Sequence, residues 1–573
     1  MLAERLAIVN LIHNPMTQIP SSNNRQNCPG DPRSTHLPSR MMPGRSILRR
    51  ALAVAAFAGL AAASTRADVK LPAIFSDHMI LQRDQAVPVW GWAADGEKIT
   101  VEFDGKKAEA TASGGKWSAS LPPLKASSKG ATFIVTGKNR IEFTDVLVGE
   151  VWFCSGQSNM EFEVQQSKNG KAEVAAADNP RIRHFKVPHV TSDKPEDEVK
   201  TAGGWQLTTP ATVGKFTGVG YFFAREIQKD LDVPIGLIGD NWGGTRIEPW
   251  TPPVGFQQVP ALKDIANNLA NFPQKSPAFI PETQPALDDA GKPVLDKNGK
   301  PTTKPVLGPD GKPKMRRVLD KDGKPVMNIQ NQSALAIYNA MVHPVVPYAI
   351  RGALWYQGES NNGEGMLYFE KMKALIGGWR TIWKQGDFPF LFVQLAPYRY
   401  NRPEALPAIW EAQTASLSIP NTGMAVTTDI ATVGNIHPPD KQEVGHRLAL
   451  WALAKTYNKS VPGYASPLFD SVKIEGGKAT ITLRNAEGGL KSRDGRELTW
   501  FTIAGEDKKF VPAKAEIVAG KIVVSAPEVS KPAAVRFGWN ELAEPNLANA
   551  AGLPASPFRT DQWTDATMPA AAK

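Results

Sequence analysis

The stretch Gly149-Glu150-Val151-Trp152-Phe153-Cys154-Ser155-Gly156-Gln157-Ser158-Asn159-Met160 decides how the rest of this chain is read. An apolar run ends in Val151-Trp152-Phe153, and a serine follows in a glycine-containing turn. Strands buried in a parallel sheet read as continuous apolar runs, and open α/β sheets bind ligands beyond the carboxyl ends of such strands. Ser158 therefore stands where an α/β fold keeps a nucleophile. Met160 takes the place of the second glycine of G-x-S-x-G, which argues against the strained elbow of the α/β-hydrolases. Taken alone, a serine after a strand also reads as an ordinary turn or capping residue.

Three further segments fall at equivalent places. Asn241-Trp242-Gly243-Gly244-Thr245-Arg246 follows the apolar run 233–238, and Trp355-Tyr356-Gln357-Gly358-Glu359-Ser360-Asn361 follows the run 348–354. Asn435-Ile436-His437-Pro438-Pro439-Asp440 precedes a helical pattern over 441–457. Serine, glycine amides, carboxamides and a histidine thus all lie in strand-to-helix loops. This ordered set resembles the SGNH hydrolases, and the wording of the blocks is similar to the sialate O-acetylesterase family. The resemblance runs from LPAIFSDHMILQRD at Leu71 through GEVWFCSGQSNM, WGGTRIEPW, WYQGESNN and IHPPDKQEVGHRLAL to NLANAAGLPASPFRTDQW. It implies an α/β fold, with an SGNH-hydrolase-like three-layer αβα domain built on a parallel sheet and flanked by β-sandwich-type domains. The implied activity is that of a carbohydrate O-acetylesterase.

A chain of 573 residues exceeds what one core organises, so two to four domains are expected. The pattern divides it into a leader at 1–67, an N-terminal β-sandwich at 68–144, a hydrolase domain at 145–459, a C-terminal β-domain at 460–562 and a tail at 563–573. In the leader, Arg45, Arg49 and Arg50 precede a small apolar run, 51–63, and either Ala61-Ala62-Ala63 or Thr65-Arg66-Ala67 offers a processing site. The run is too short for a lasting anchor, so an exported, periplasmic or extracellular protein is expected, with translation starting at Met41 or Met42. The net charge of +10 draws partly on this leader and on a Lys-rich insertion. It reads as a solvated basic surface, and nucleic-acid binding has nothing else in its favour. Cys154 is the only cysteine after the leader, which holds Cys28. Internal disulfides and cysteine-based zinc sites are excluded there, and Cys154 reads as a core residue. Neither Rossmann glycines nor a P-loop appear, and no cofactor is expected.

Within the hydrolase domain, 253–332 interrupts the strand-helix alternation. A phrase recurs in it as Ala290-Gly291-Lys292-Pro293, Asn298-Gly299-Lys300-Pro301, Asp310-Gly311-Lys312-Pro313 and Asp322-Gly323-Lys324-Pro325. Asn-Gly and Asp-Gly favour tight turns, so a ladder of short hairpins on the surface is expected. Asp320-Lys321-Asp322-Gly323 lacks the ligand spacing of a calcium loop, and no metal site is expected.

Ester hydrolysis needs a nucleophile, a base and donors aimed at the developing oxyanion. Given the resemblance, Ser158 is the nucleophile and His437 the base, with His343 and His446 as competitors inside or beside helical patterns. The oxyanion donors are the backbone N–H of Ser158, that of Gly243, and the side-chain amide of Gln357, with Asn361 as a second option for the amide. SGNH hydrolases commonly carry an aspartate three residues before the histidine, but Gly434 stands there. A Ser-His dyad oriented by a backbone carbonyl is the favoured arrangement, and Glu359 or Asp429 could instead reach the imidazole. Trp242 offers a face to a sugar ring, and Arg246 could pair with a carboxylate such as that of sialic acid, or bridge to Glu248. Acetylated sialic acid and acetylated plant polysaccharide both remain open as substrates. A non-catalytic glycan-binding protein would be expected to lose Ser158 or His437, and both are present.

Overall fold

The computed structural model describes residues 68–568 apart from 200 and 202. The expected export leader, the alternative starts, Cys28 and the last residues of the tail lie outside the described residues. Seven strands form the central sheet in the order Thr422–Ala425, Phe390–Val393, Gly352–Tyr356, Arg140–Gly156, Ile235–Asn241, Asn179–Lys186 and Gln206–Thr208. All neighbours run parallel except the last pair. Burial on both faces explains the unbroken apolar runs: Trp152 packs edge-on against Phe223 of the helix Gly218–Leu231, with ring centroids 4.8 Å apart. Its neighbour Phe153 meets Trp379 and Trp383 of the helix Leu367–Trp383, each at 5.2 Å. Successive residues of one strand thus point into opposite helical layers, as the pleat requires, and the αβα arrangement follows.

Arg140–Gly156 is one strand of 17 residues. Its first part pairs antiparallel with Ser127–Thr136 of the N-terminal β-module, and its last part forms the middle of the parallel sheet. The boundary read at 144/145 therefore falls inside a continuous strand, and the buried side chains of module and hydrolase domain form one core from Val69 to Leu468. The C-terminal region has two four-stranded sheets around its own core, which includes Ile481, Ile503, Ile522 and Phe537. Trp563, Ala566 and Met568 pack beside Phe510, so the described part of the tail is bound to that module.

The insertion opens with helical turns, not hairpins. Pro253–Gln257 packs against Leu367–Trp383, and Phe256, Val259 and Leu262 bury there against Leu335 and Ala374. The hairpins occupy 275–329 as three nested antiparallel pairs of three-residue strands. Gly291, Gly299, Gly311 and Gly323 turn four smaller hairpins between and within these pairs, closed by the bridges Leu287–Pro293, Leu295–Pro301, Leu307–Pro313 and Leu319–Pro325, at φ values of 74–76°, the region that favours glycine. Among the described residues, no helix is long and apolar enough to cross a membrane and no cluster of three or more His, Cys, Asp or Glu is arranged for a metal ion.

Candidate active site

Gly156, Asn241 and Tyr356 are register partners at the carboxyl edge of the sheet, so three of the four sequence blocks leave the sheet at one level. Gly156 has φ 139°, and a Cβ on it would lie 2.2 Å from the Tyr356 carbonyl oxygen. Only glycine lets the two strands approach so closely where the chain turns into Ser158–Glu161. His437 reaches this edge from the loop before the helix Lys441–Trp451, and its Nε2 lies 2.8 Å from Ser158 Oγ. The pair is 279 residues apart in sequence. Burial, and secondarily the charge of Lys441, holds the His437 imidazole below its ordinary pKa, so it is neutral and able to accept a proton at neutral pH. The ring of Phe162 faces it at 6.1 Å, and the His437 N–H donates to Asn435 Oδ1 at 2.9 Å. Its Nδ1 has no protein partner among the described residues, neither the carboxylate nor the backbone carbonyl considered from sequence. His343 instead sits against the Glu196 carbonyl, and His446 lies beside Glu226.

Gly243 adjoins the serine: a Cβ on it would lie 3.2 Å from Ser158 Cβ. Its N–H donates to Glu161 Oε2 at 2.7 Å, a contact absent from the sequence reading. His189 Nε2, at 2.9 Å, and Lys186 Nζ, at 3.9 Å, flank the other Glu161 oxygen. The His189 and Trp242 rings stack almost parallel at 4.5 Å. Trp242 is half-buried, leaving part of the indole accessible beside Glu161 and His189.

The amide expected of Gln357 is not free. That side chain is fully buried, and its Nε2 meets Gln157 Oε1, Thr245 O and Asn361 Oδ1 at 2.8–3.1 Å. Two amide hydrogens facing three acceptors leave nothing for a ligand. Asn361 is also consumed, accepting from Ile247 N–H and donating to Glu248 and Glu364. Arg246 pairs with Glu248 and Glu364, which realises the Glu248 bridge and leaves the guanidinium committed. Glu359 does not reach the imidazole; its Oε1 accepts from Asn159 Nδ2 at 2.5 Å.

Asp429 makes no hydrogen bond to His437 either; Arg447 grips it through two bonds of 2.7 and 2.8 Å. Both side chains of that pair are buried, at 7% and 5% exposure. Removing one partner of a buried pair leaves the other charge stranded, at a cost of about 3–5 kcal/mol. Arg447→Ala is accordingly expected to lower the melting temperature strongly. Asp429→Asn is expected to lower it too while leaving the pH profile of ester hydrolysis unmoved; a shifted profile would give Asp429 a part in proton transfer.

A model of carbohydrate esterases described as sialic acid-specific acetylesterase matches residues 148–271 and 323–454, and the gap falls on the hairpin insertion. Sialate O-acetylesterases of Rattus norvegicus and Homo sapiens are 28% and 26% identical over 522 and 532 residues, covering 81% and 84% of this chain and 88% and 91% of theirs. The solved carbohydrate acetylesterase of Xanthomonas citri is 34% identical, with a TM-score of 0.72, over 87% of this chain and 100% of that one. The chain belongs to the sialate O-acetylesterase family of carbohydrate esterases. It is an ester hydrolase.

Several residues around Ser158 in this sialate O-acetylesterase family member escaped the sequence reading. Glu161 stands one helical turn beyond Ser158, a spacing that puts both on one face, and Lys441 opens the helix that follows the His437 loop. Only the first spacing was legible from sequence. His189 carried no such signal, since it lies in an irregular stretch between strands. Gln157 was quoted without a role; its Oε1 accepts from Gln357 Nε2 and, at 3.4–3.5 Å, from the N–H groups of Gly358 and Ser360, while its Nε2 has no protein partner among the described residues.

Proposed function

We propose that this chain hydrolyses acetyl esters on sugar hydroxyls by a Ser-His esterase mechanism, with Ser158 as nucleophile and His437 as base. The observation that carries the reading is the 2.8 Å contact between Ser158 Oγ and His437 Nε2. As Oγ attacks the acetyl carbon, His437 takes its proton, then hands it to the departing sugar oxygen. Water repeats the cycle on the acetyl-serine and releases acetate. The N–H groups of Ser158 and Gly243 serve the oxyanion, and Gln157, whose amide oxygen is pinned and whose Nε2 is free, supplies the side-chain donor expected of Gln357. Gly243 N–H becomes available when Glu161 turns aside, since a carboxylate beside a developing negative charge would repel it. His189 and Lys186 offer Glu161 other partners.

Trp242 with His189 and Glu161 forms the sugar-facing side. An acetylated neutral polysaccharide is a second reading, favoured by the commitment of Arg246 to Glu248 and Glu364, which removes the arginine proposed to hold a sialic-acid carboxylate. Export through the segment 45–67 is part of the proposal and places the reaction outside the cytoplasm.

Acetate release from O-acetylated sialic acid, acetylated xylan and an aryl acetate tests the function, comparing the parent with Ser158→Ala. Activity of the parent on at least one acetylated sugar and its loss in the variant are expected. Release from the aryl acetate alone would contradict the carbohydrate assignment, and activity on the polymer alone would exclude sialic acid.

A further inference from the structure

Beneath the Ser158 turn lies a lysine that the esterase mechanism does not use. Lys441 opens the helix Lys441–Trp451 and is 0% exposed. Its Nζ donates to Asn159 Oδ1 at 2.6 Å and lies over the rings of Phe162 and Tyr356, 4.9 and 5.1 Å from their centroids. Its stem is hemmed by the start of the helix Gly218–Leu231, where a Cβ on Gly218 would come within 3.3 Å of Lys441 Cβ. Asn159, next to the nucleophile, donates through Nδ2 to Glu359 Oε1 at 2.5 Å and to the carbonyl of Ile436 at 3.0 Å. One carboxamide therefore joins the nucleophile's turn, the turn at Glu359 and the residue before His437.

We propose that Lys441 and Asn159 are positioning residues of the esterase site: the buried ammonium fixes which way the Asn159 carboxamide faces, and that carboxamide holds the His437 loop to the turn carrying Ser158. The inference rests on the Ser158–His437 reading given above. Burial pushes the Lys441 pKa down to about 7; while protonated the lysine only donates, whereas a carboxylate and a carbonyl only accept. Turning the amide over would set its NH2 against the ammonium and its oxygen against Glu359 and Ile436 O. Lys441 is the only donor that Asn159 Oδ1 meets among the described residues, so the lysine selects the orientation.

A buried lysine is costly unless its charge is met, and here the nearest carboxylate, Glu359, is reached through Asn159 and not directly. Glu359 Oε2 is itself buried without a partner. An arrangement so poorly compensated is a weak device for stability. It is well suited to a site whose histidine lacks a partner on Nδ1, because the loop and not a third triad member must then hold the imidazole. The titratable groups facing Lys441 are Glu359 from its turn, Tyr356 from the end of its strand, and His437 from the preceding loop; Asn159 and Phe162 contribute no charge.

The test compares kcat, KM, pH profile and melting temperature of the full chain on an aryl acetate for Lys441→Met, Asn159→Leu and the double variant. Each single change is expected to lower kcat by about 10- to 100-fold with KM within about threefold, and the double variant to lose no more than the worse single one, because the two act as a unit. Lys441→Met should also move the acid limb to higher pH, since loss of a neighbouring positive charge raises the His437 pKa, while its melting temperature holds or rises. A merely structural lysine would not give falling kcat with undiminished stability.

Parental kcat in folded Lys441→Met, or losses that multiply in the double variant, would overturn the proposal. Should Lys441→Met fail to fold, Asn159→Asp keeps an oxygen for Lys441 but removes the donor to Ile436, and parental kcat in that variant would be equally fatal. Activity surviving in Ser158→Ala would instead sink the esterase reading itself, so the two failures are distinguishable.

Discussion

Replacing Ser158 by alanine is expected to lower kcat for acetate release by about 10^4- to 10^6-fold, the loss typical when a serine hydrolase gives up its nucleophile. The change removes one oxygen from a part-exposed side chain and no backbone hydrogen bond, so the melting temperature should stay near that of the parent. No neighbour can stand in. Cys154 is fully buried, and burial pushes its thiol far above the ordinary range. The hydroxyl of Ser155 is buried in the sheet without a partner. Residual activity should come from the N–H groups that remain, which polarise the acetyl carbonyl for direct attack by water. Acetate assays with circular dichroism melts check both halves, and activity within tenfold of the parent in a folded variant would remove Ser158 from the reaction.

His437→Gln carries the second-largest expected effect, a fall in kcat of about 10^2- to 10^4-fold, the usual contribution of general acid-base catalysis. The loss is smaller than for Ser158 for a physical reason: with no carboxylate on Nδ1, the imidazolium formed during attack is less stabilised than in a full triad. The pH profile of the parent should carry the same signature. Burial and the nearby Lys441 charge lower the His437 pKa, so the neutral base persists below the pH at which an exposed histidine would protonate. Activity should be lost as pH falls through that lowered value. In His437→Gln the limb should vanish, leaving a low rate that rises only with hydroxide. A retained limb would assign the titration to another group.

The meeting of Ser158 and His437 was legible from the resemblance together with local signals that place both residues in edge loops. Apolar runs of sheet-strand length place the turns, and Gly156 and the two prolines after His437 mark chain reversals at an edge that register then brings into line. The domain boundary at 144/145 misled because one strand of 17 residues serves two sheets, and a composition shift along it says nothing about the continuity of its backbone. Gln357, Asn361 and Arg246 misled for another reason. A carboxamide or guanidinium in a catalytic loop looks the same in sequence whether it faces a ligand or a neighbour, and only the partners at Thr245, Glu248 and Glu364 decide between them. Glu161 lay one helical turn beyond Ser158, so spacing alone marked it as a neighbour of the site, whereas Lys441 is the first helical residue after the His437 loop and carried no such periodicity; the partners of both on other segments did not follow from sequence.

Reaction with a fluorophosphonate, followed by peptide mass spectrometry, tests the pairing at the centre of this site most directly, because the reagent traps a serine only where a base activates it and donors receive the phosphoryl oxygen. The parent should carry one adduct, on Ser158, formed at a rate that drops steeply in His437→Gln. An adduct on another residue, or labelling of Ser158 that proceeds equally fast without the imidazole, would contradict it.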